Sequence, residues 1–199
     1  EVGDGLGVAK TLALYTRLHL SRRRLKLAAE YAFTGVELCQ SLEGEVPLGE
    51  VFGARAHLDL AIAQIHAERE RFDQATVVLE RAQRMFREIG DRLHAGVVRF
   101  EFGRLAHQRR SMKAAERFYL DAIAELEGVD HVVHALPKLH YGIMLLELGD
   151  GASARGLLVE AGELLRAHGH NSTVSKSPSQ CSPSSWHPTG AAHAPSSSR

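Results

Sequence analysis

Residues 100–125 read FEFGRLAHQRRSMKAAERFYLDAIAE, and the spacing of small and large side chains in this stretch decides the fold. Phe102 and Gly103 stand together. Twelve residues after the glycine comes Ala115, followed by Tyr119 and Ala122 at steps of four and three. Steps of three, four and seven place side chains on one face of a helix. The polar Arg109-Arg110-Ser111 lies midway and reads as a turn. The stretch is therefore a helical hairpin, in which small residues let two helices approach and a large apolar residue fills the space beside them.

The same pattern recurs on both sides. Ile62-Ala63 precedes Ala75, Leu79 and Ala82, and Tyr141-Gly142 precedes Ala154, Leu158 and Ala161, at intervals of 40 and 39 residues. Recurrence at a fixed period of this size marks a repeat architecture. A weaker fourth copy comes first: Ala29, Phe33 and Val36 keep the spacing, but the small position of its first helix falls on Arg17. Gly90-Asp91 and Gly128-Val129-Asp130 supply a helix stop and an N-cap between hairpins. The expected helices are 8–21, 24–42, 50–69, 72–89, 91–108, 111–127, 131–148 and 151–168. Pro137 should either kink the seventh helix or mark its true start.

Composition agrees with an all-α chain. Ala and Leu are plentiful and aromatics few, while Lys plus Arg and Asp plus Glu balance at 24 each. A formal net charge of zero gives no overall pull toward nucleic acid or an anionic membrane. No run approaches the roughly 20 apolar residues of a membrane span, and neither nucleic-acid contact nor membrane insertion is expected. Cys39 sits in an apolar helical pattern and Cys181 in a polar stretch, which suits a reducing, cytoplasmic setting better than a disulfide framework. Glycine-rich residues 1–7 read as a flexible lead-in, residues 8–169 as the repeat domain, and 170–199 as a disordered Ser/Pro-rich tail. That tail is a regulatory segment, a solvated terminus or linker, or a non-native extension. The chain begins at Glu1 rather than Met, as a fragment or processed product would.

These small and large positions resemble the tetratricopeptide repeat. Its Leu-Gly pair matches Ile62-Ala63, Phe102-Gly103 and Tyr141-Gly142, and its Ala, Phe/Tyr and Ala match the three triplets. The consensus Trp is replaced by Asp59, Arg99 and Lys138, the closing Pro is missing, and the period is longer than the usual ~34 residues. The longer repeat is similar to those in sensor regions of large bacterial transcriptional regulators and in eukaryotic scaffold proteins. The resemblance implies a right-handed α-solenoid of about four hairpins whose concave face is lined by the first helix of each. On that face would stand His57, Leu60, Gln64 and Glu68, then Val97, Phe100, Arg104, His107 and Gln108, then Leu136, Leu139, Ile143, Leu146 and Glu147. Such a groove takes a protein or peptide ligand, as a scaffold module of a larger bacterial regulator. The alternative is a sensor of a small ligand or peptide that controls an attached DNA-binding or ATPase domain. Arg104 and His107 either hold a carboxylate or form a solvated wall. The leucines of the last hairpin either take a peptide or pack on a missing repeat, and exposure of Leu157 and Leu164 would favour self-association there.

No catalytic constellation competes with binding. There is no G-x-S-x-G and no H-E-x-x-H around His66, Glu68 and Glu70, and Gly3, Gly5 and Gly7 have neither a preceding strand nor a P-loop Lys. His131, His134 and His140, or His168 with His170, lack the converging third and fourth ligands of a zinc site. No enzyme activity, metal or cofactor is expected. The basic clusters Arg22-Arg23-Arg24-Lys26, Arg69 with Arg71, and Arg109-Arg110 with Lys113 fall at the turns inside hairpins, where cations complement helix C-termini.

Overall fold

The computed structural model describes residues 2–129 and 131–169; the expected tail, the N-cap at Asp130 and His170 lie outside the described residues. The described chain is all-α. Its helices are α1 (Val2–Ser21), α2 (Leu25–Ser41), α3 (Leu48–Glu68), α4 (Phe72–Glu88), α5 (Arg92–Gln108), α6 (Met112–Glu125), α7 (Ala135–Glu147) and α8 (Gly151–Gly169). A single 3-10 turn, Val132–His134, leads into α7. Pro137 stands in the first turn of α7, where the missing N–H leaves no bond unmade, so it marks the start of the helix and causes no kink.

Helices pair as α1/α2, α3/α4, α5/α6 and α7/α8. The second helix of each hairpin packs on the first helix of the next, and the first helices α1/α3, α3/α5 and α5/α7 also touch. Buried apolar clusters follow this order along the chain, from Leu6, Ala9 and Cys39 to Tyr119, Met144 and Ala154.

The turn within each hairpin carries one residue in the left-handed region: Arg23 (φ 54°), Glu70 (φ 58°), Arg110 (φ 60°) and Gly149 (φ 85°). In all four, the next N–H reaches back to a carbonyl five residues earlier at 2.9 Å: Arg24 to His19, Arg71 to His66, Ser111 to Ala106, Asp150 to Leu145. This is the Schellman closure of a helix C-terminus. Three of the four turns hold a non-glycine there, so sequence alone gives no landmark.

Counting from these residues aligns the hairpins and corrects the first one. Seven places before the turn residue stand Thr16, Ala63, Gly103 and Gly142. Five, nine and twelve places after it stand Ala28-Ala32-Gly35 in the first hairpin, and Ala75-Leu79-Ala82 and its successors in the rest. Thr16, Ala28 and Ala32 are fully buried while Phe33 is 53% exposed, so the triplet Ala29-Phe33-Val36 is one residue out of register. Arg17 is then no exception to the small-residue rule, because Thr16 occupies that position.

The lead-in also differs from expectation. Helix α1 begins at Val2, and Leu6 is buried with Ala9, Cys39 and Leu42. A Cβ at Gly5 would lie 3.0 Å from Leu42 Cδ2. The glycine that reads as flexible instead allows close packing, which outweighs its cost of about 1 kcal/mol in a helix. Cys39 is 1% exposed and its thiol pKa is pushed up by burial, as a small core residue.

Candidate functional site: a groove along the first helices

Six places before each turn residue, the first helices present Arg17, Gln64, Arg104 and Ile143. The first three line a groove of about 580 Å³ together with Arg23, Glu68, Glu101 and Gln108, over an apolar floor of Leu18, Leu79 and Leu105. Its polar wall is largely self-paired. Glu101, only 8% exposed, accepts Gln64 Nε2–H at 2.9 Å and Arg104 Nη1–H at 2.9 and 3.1 Å. Arg23 pairs with Glu68 at 2.9 Å. Arg17 is exposed and has no carboxylate within 4 Å among the described residues. It is the uncommitted cation of the groove.

A second concavity adjoins the first, lined by Glu68, Phe72, His107, Gln108, Arg110 and Glu147. His107 Nε2 lies 3.1 Å from Glu147 Oε2 and its Nδ1 lies 3.4 Å from the Tyr119 hydroxyl. Burial raises the pKa of that phenol, leaving it protonated and able to donate to the ring nitrogen.

The remaining expected groove residues are distributed differently. Phe100 is 4% exposed; its ring meets the edge of His140 at 5.0 Å, and Arg104 lies 6.0 Å above it. It supports the wall and offers a ligand no surface. Leu60, Val97, Leu136 and Leu139 are half-buried between helices. Ile143 and Leu146 are exposed, and Leu146 belongs to a separate concavity on the last hairpin. His57 lines a pocket between α1 and α3 with Lys10, Arg17 and Glu50. Its ring packs on His94 at 4.3 Å and Phe86 at 5.1 Å. Burial first, then His94 and Arg17, lowers its pKa to about 4. Arg17, Arg23 and Glu101 were not expected in the groove. The register error hid Arg17, and Glu101 carries no sequence signal that separates a wall carboxylate from a solvated one.

The basic turns are partly neutralised by neighbouring hairpins, before or after them in the chain. Arg23 meets Glu68, Arg109 meets Asp73 at 2.6 Å, and Arg110 lies 3.5 Å from Glu147. The histidines in and just before α7 diverge: His131 Nδ1 accepts the Val133 N–H at 3.1 Å, while His140 packs on Phe100. Among the described residues no group of three or more His, Cys, Asp or Glu is placed to hold a metal, and no helix is long and apolar enough to cross a membrane.

No protein-family model matches the chain, and no curated protein matches it. Among solved structures, BtubC (BKLC) from P. vanneervenii is similar in fold, with a TM-score of 0.62 and 17% identity over 87% of this chain and 68% of that one. At this identity the likeness concerns the fold alone.

Proposed function

We propose that the chain is a tetratricopeptide-like binding module, a short solenoid that holds an extended segment of a partner protein in the groove along its first helices. The reading rests on the ladder Arg17, Gln64 and Arg104, which repeats one position across three hairpins and lines a single groove. Pairing of the buried Glu101 with Arg104 and Gln64 fixes the centre of the wall before a ligand arrives, which lowers the ordering cost of binding. Arg17 has no such partner and supplies a charge-assisted contact, so the favoured segment carries Asp, Glu or a free C-terminal carboxylate. The apolar floor accepts a flanking aliphatic side chain. A role as scaffold module of a larger bacterial regulator fits this reading.

The test is selection of peptides from a displayed random library against the full chain. Enriched peptides should carry an acidic residue. Arg17→Glu, at an exposed position, should weaken them about tenfold to a hundredfold with an unchanged circular dichroism spectrum. Enrichment of peptides indifferent to both Arg17→Glu and Gln64→Ala would reject the groove as the binding face.

A further inference from the structure

One structural position distinguishes the last hairpin from the others. Sixteen places after the turn residue stand Cys39, Phe86, Leu126 and Leu165. The first three are at most 1% exposed, Cys39 clustering with Val51 and Ala54 and Phe86 with Ala95 and Val98 of the next hairpin's first helix, whereas Leu165 is 37% exposed. A concavity on α8, edged by Leu146 of α7, is lined by Arg155, Leu158, Gly162 and Arg166.

The opposite end shows the converse. Nine, eight and five places before the turn residue, α3, α5 and α7 carry side chains that are buried or half-buried, such as Ile62, Phe102 and Tyr141. On α1 these places hold Leu14, Tyr15 and Leu18, which are 63%, 47% and 40% exposed, Leu14 and Leu18 standing where this ridge borders the groove, with Val8 at 44% further along. Thr11 lies between them; its hydroxyl bonds back to the Gly7 carbonyl at 2.8 Å, so its methyl faces outward. The ridge is uncharged and apolar.

We infer that these two surfaces are halves of one interface and that the chain stacks head to tail, the α1 ridge of one copy packing on α8 of another. The argument is continuity with an interface the chain already builds three times. At each internal junction the place six after the turn residue shares a cluster, a cleft or a hydrogen bond with the place eight before the next turn residue. Ala29 and Ile62 share one apolar cluster. Thr76 and Phe102 line one cleft. Glu116 Oε1 accepts the Tyr141 hydroxyl at 2.7 Å. Likewise Phe86 clusters with Ala95 and Val98 of the following helix. Carried across to a second copy, the same pairing sets Arg155 on Tyr15, one face of whose ring is stacked on Tyr31 at 5.6 Å and whose other face and hydroxyl suit a guanidinium. It also sets Leu165 on Val8 and Thr11. Such an interface is heterologous, so it leaves one free end of each kind and continues to grow.

Sedimentation of the full chain from micromolar to near-millimolar concentration, with Val8→Glu and Leu165→Glu as probes, tests this. Both sites are exposed, and retained helical circular dichroism checks their folding; Val8→Ser and Leu165→Ser replace any variant that loses it. The wild-type mass should rise with concentration beyond a dimer. Each variant alone should stay monomeric, because every copy lacks one half of the interface. An equimolar mixture of the two should form one-to-one dimers and no larger species. A wild-type chain that stays monomeric throughout overturns the inference. So does self-association of Val8→Glu alone, which would mean that α8 meets α8, and so does a mixture that never dimerises.

Discussion

Asp59 of α3 is fully buried and clamped by Arg81 of α4, with contacts of 2.6 and 2.7 Å to its two carboxylate oxygens. Arg55, one turn earlier, adds a third contact at 3.3 Å. The pair occupies places that recur eleven before and eleven after the turn residue. The next two hairpins put Arg99 opposite Asp121 at 4.0 Å and Lys138 opposite Glu160 at 2.6 Å, with the sign reversed. At this place three hairpins carry a charge matched by their own second helix. Asp59→Ala leaves Arg55 and Arg81 facing a buried void, a loss of about 3–5 kcal/mol. Arg99→Ala breaks a looser, half-exposed pair and should cost under about 1 kcal/mol. Urea unfolding of the two variants measures the gap, and equal losses would contradict it.

Gly103 and Tyr119 meet closely between paired helices: a Cβ on the glycine would come 2.5 Å from Tyr119 Cδ1. Tyr119 is fully buried, its ring close to Phe100 and Tyr141 at 6.2 and 6.3 Å, and has little room to move. Gly103→Ala should therefore destabilise by about 1–3 kcal/mol, despite a helix-propensity gain of up to about 1 kcal/mol. Gly156 of α8 has open space where a Cβ would stand, so Gly156→Ala should keep the propensity gain and stabilise. Thermal midpoints moving in opposite directions are the expected result.

The three later hairpins were legible because their small and large residues repeat one spacing and face each other directly, as Gly103 does Tyr119. The first is ambiguous in sequence for a local reason. Ala28-Ala29 and Ala32-Phe33 offer small and large residues in two adjacent registers, and the turn at Arg23 carries no glycine to choose between them. That single shift concealed Arg17, the groove's uncommitted cation. Phe100 failed differently. Its place on α5 is right for the groove, but whether a neighbouring side chain covers it depends on His140, forty residues away, and no period reports that. On α8 the exposed large apolar residues are Val159 and Leu165, while Leu157 and Leu164 are half-buried; a difference of one or two residues in helix face lies within the error of reading a period from sequence.

Glu70 holds a left-handed backbone conformation, φ 58°, at an exposed turn. A residue with a Cβ pays about 1–2 kcal/mol for this conformation, which glycine adopts freely. Glu70→Gly should stabilise the chain by up to about 1 kcal/mol, the remainder being offset by the larger entropy of glycine when unfolded. For a domain of this size that is a rise of about 2–4 °C in midpoint, readable by calorimetry. A fall would mean that the turn gains more from the side chain than its conformation costs.

Two half-buried histidines should make the fold sensitive to mild acid. The pKa of His57 is lowered to about 4 by burial, with His94 and Arg17 adding to the effect, and that of His140 to about 4 by burial, with Arg104 and His107 beside it. His66 and His134 shift the same way, chiefly through burial. In the unfolded chain these rings titrate near about 6.5. Above that pH both states are neutral and the packing of His57 on Phe86 and of His140 on Phe100 contributes in full. As pH falls below about 6.5 the unfolded chain takes up protons that the folded one refuses, and stability declines until the folded rings protonate near pH 4. Each ring contributes at most about 1.4 kcal/mol per pH unit in that window, and less in practice because solvent reaches part of both. Urea unfolding at about pH 7.5 and about pH 5 should show the lower stability at pH 5. His140→Gln, which cannot take the proton, should narrow the difference. An unchanged difference in that variant would assign the acid sensitivity to other groups.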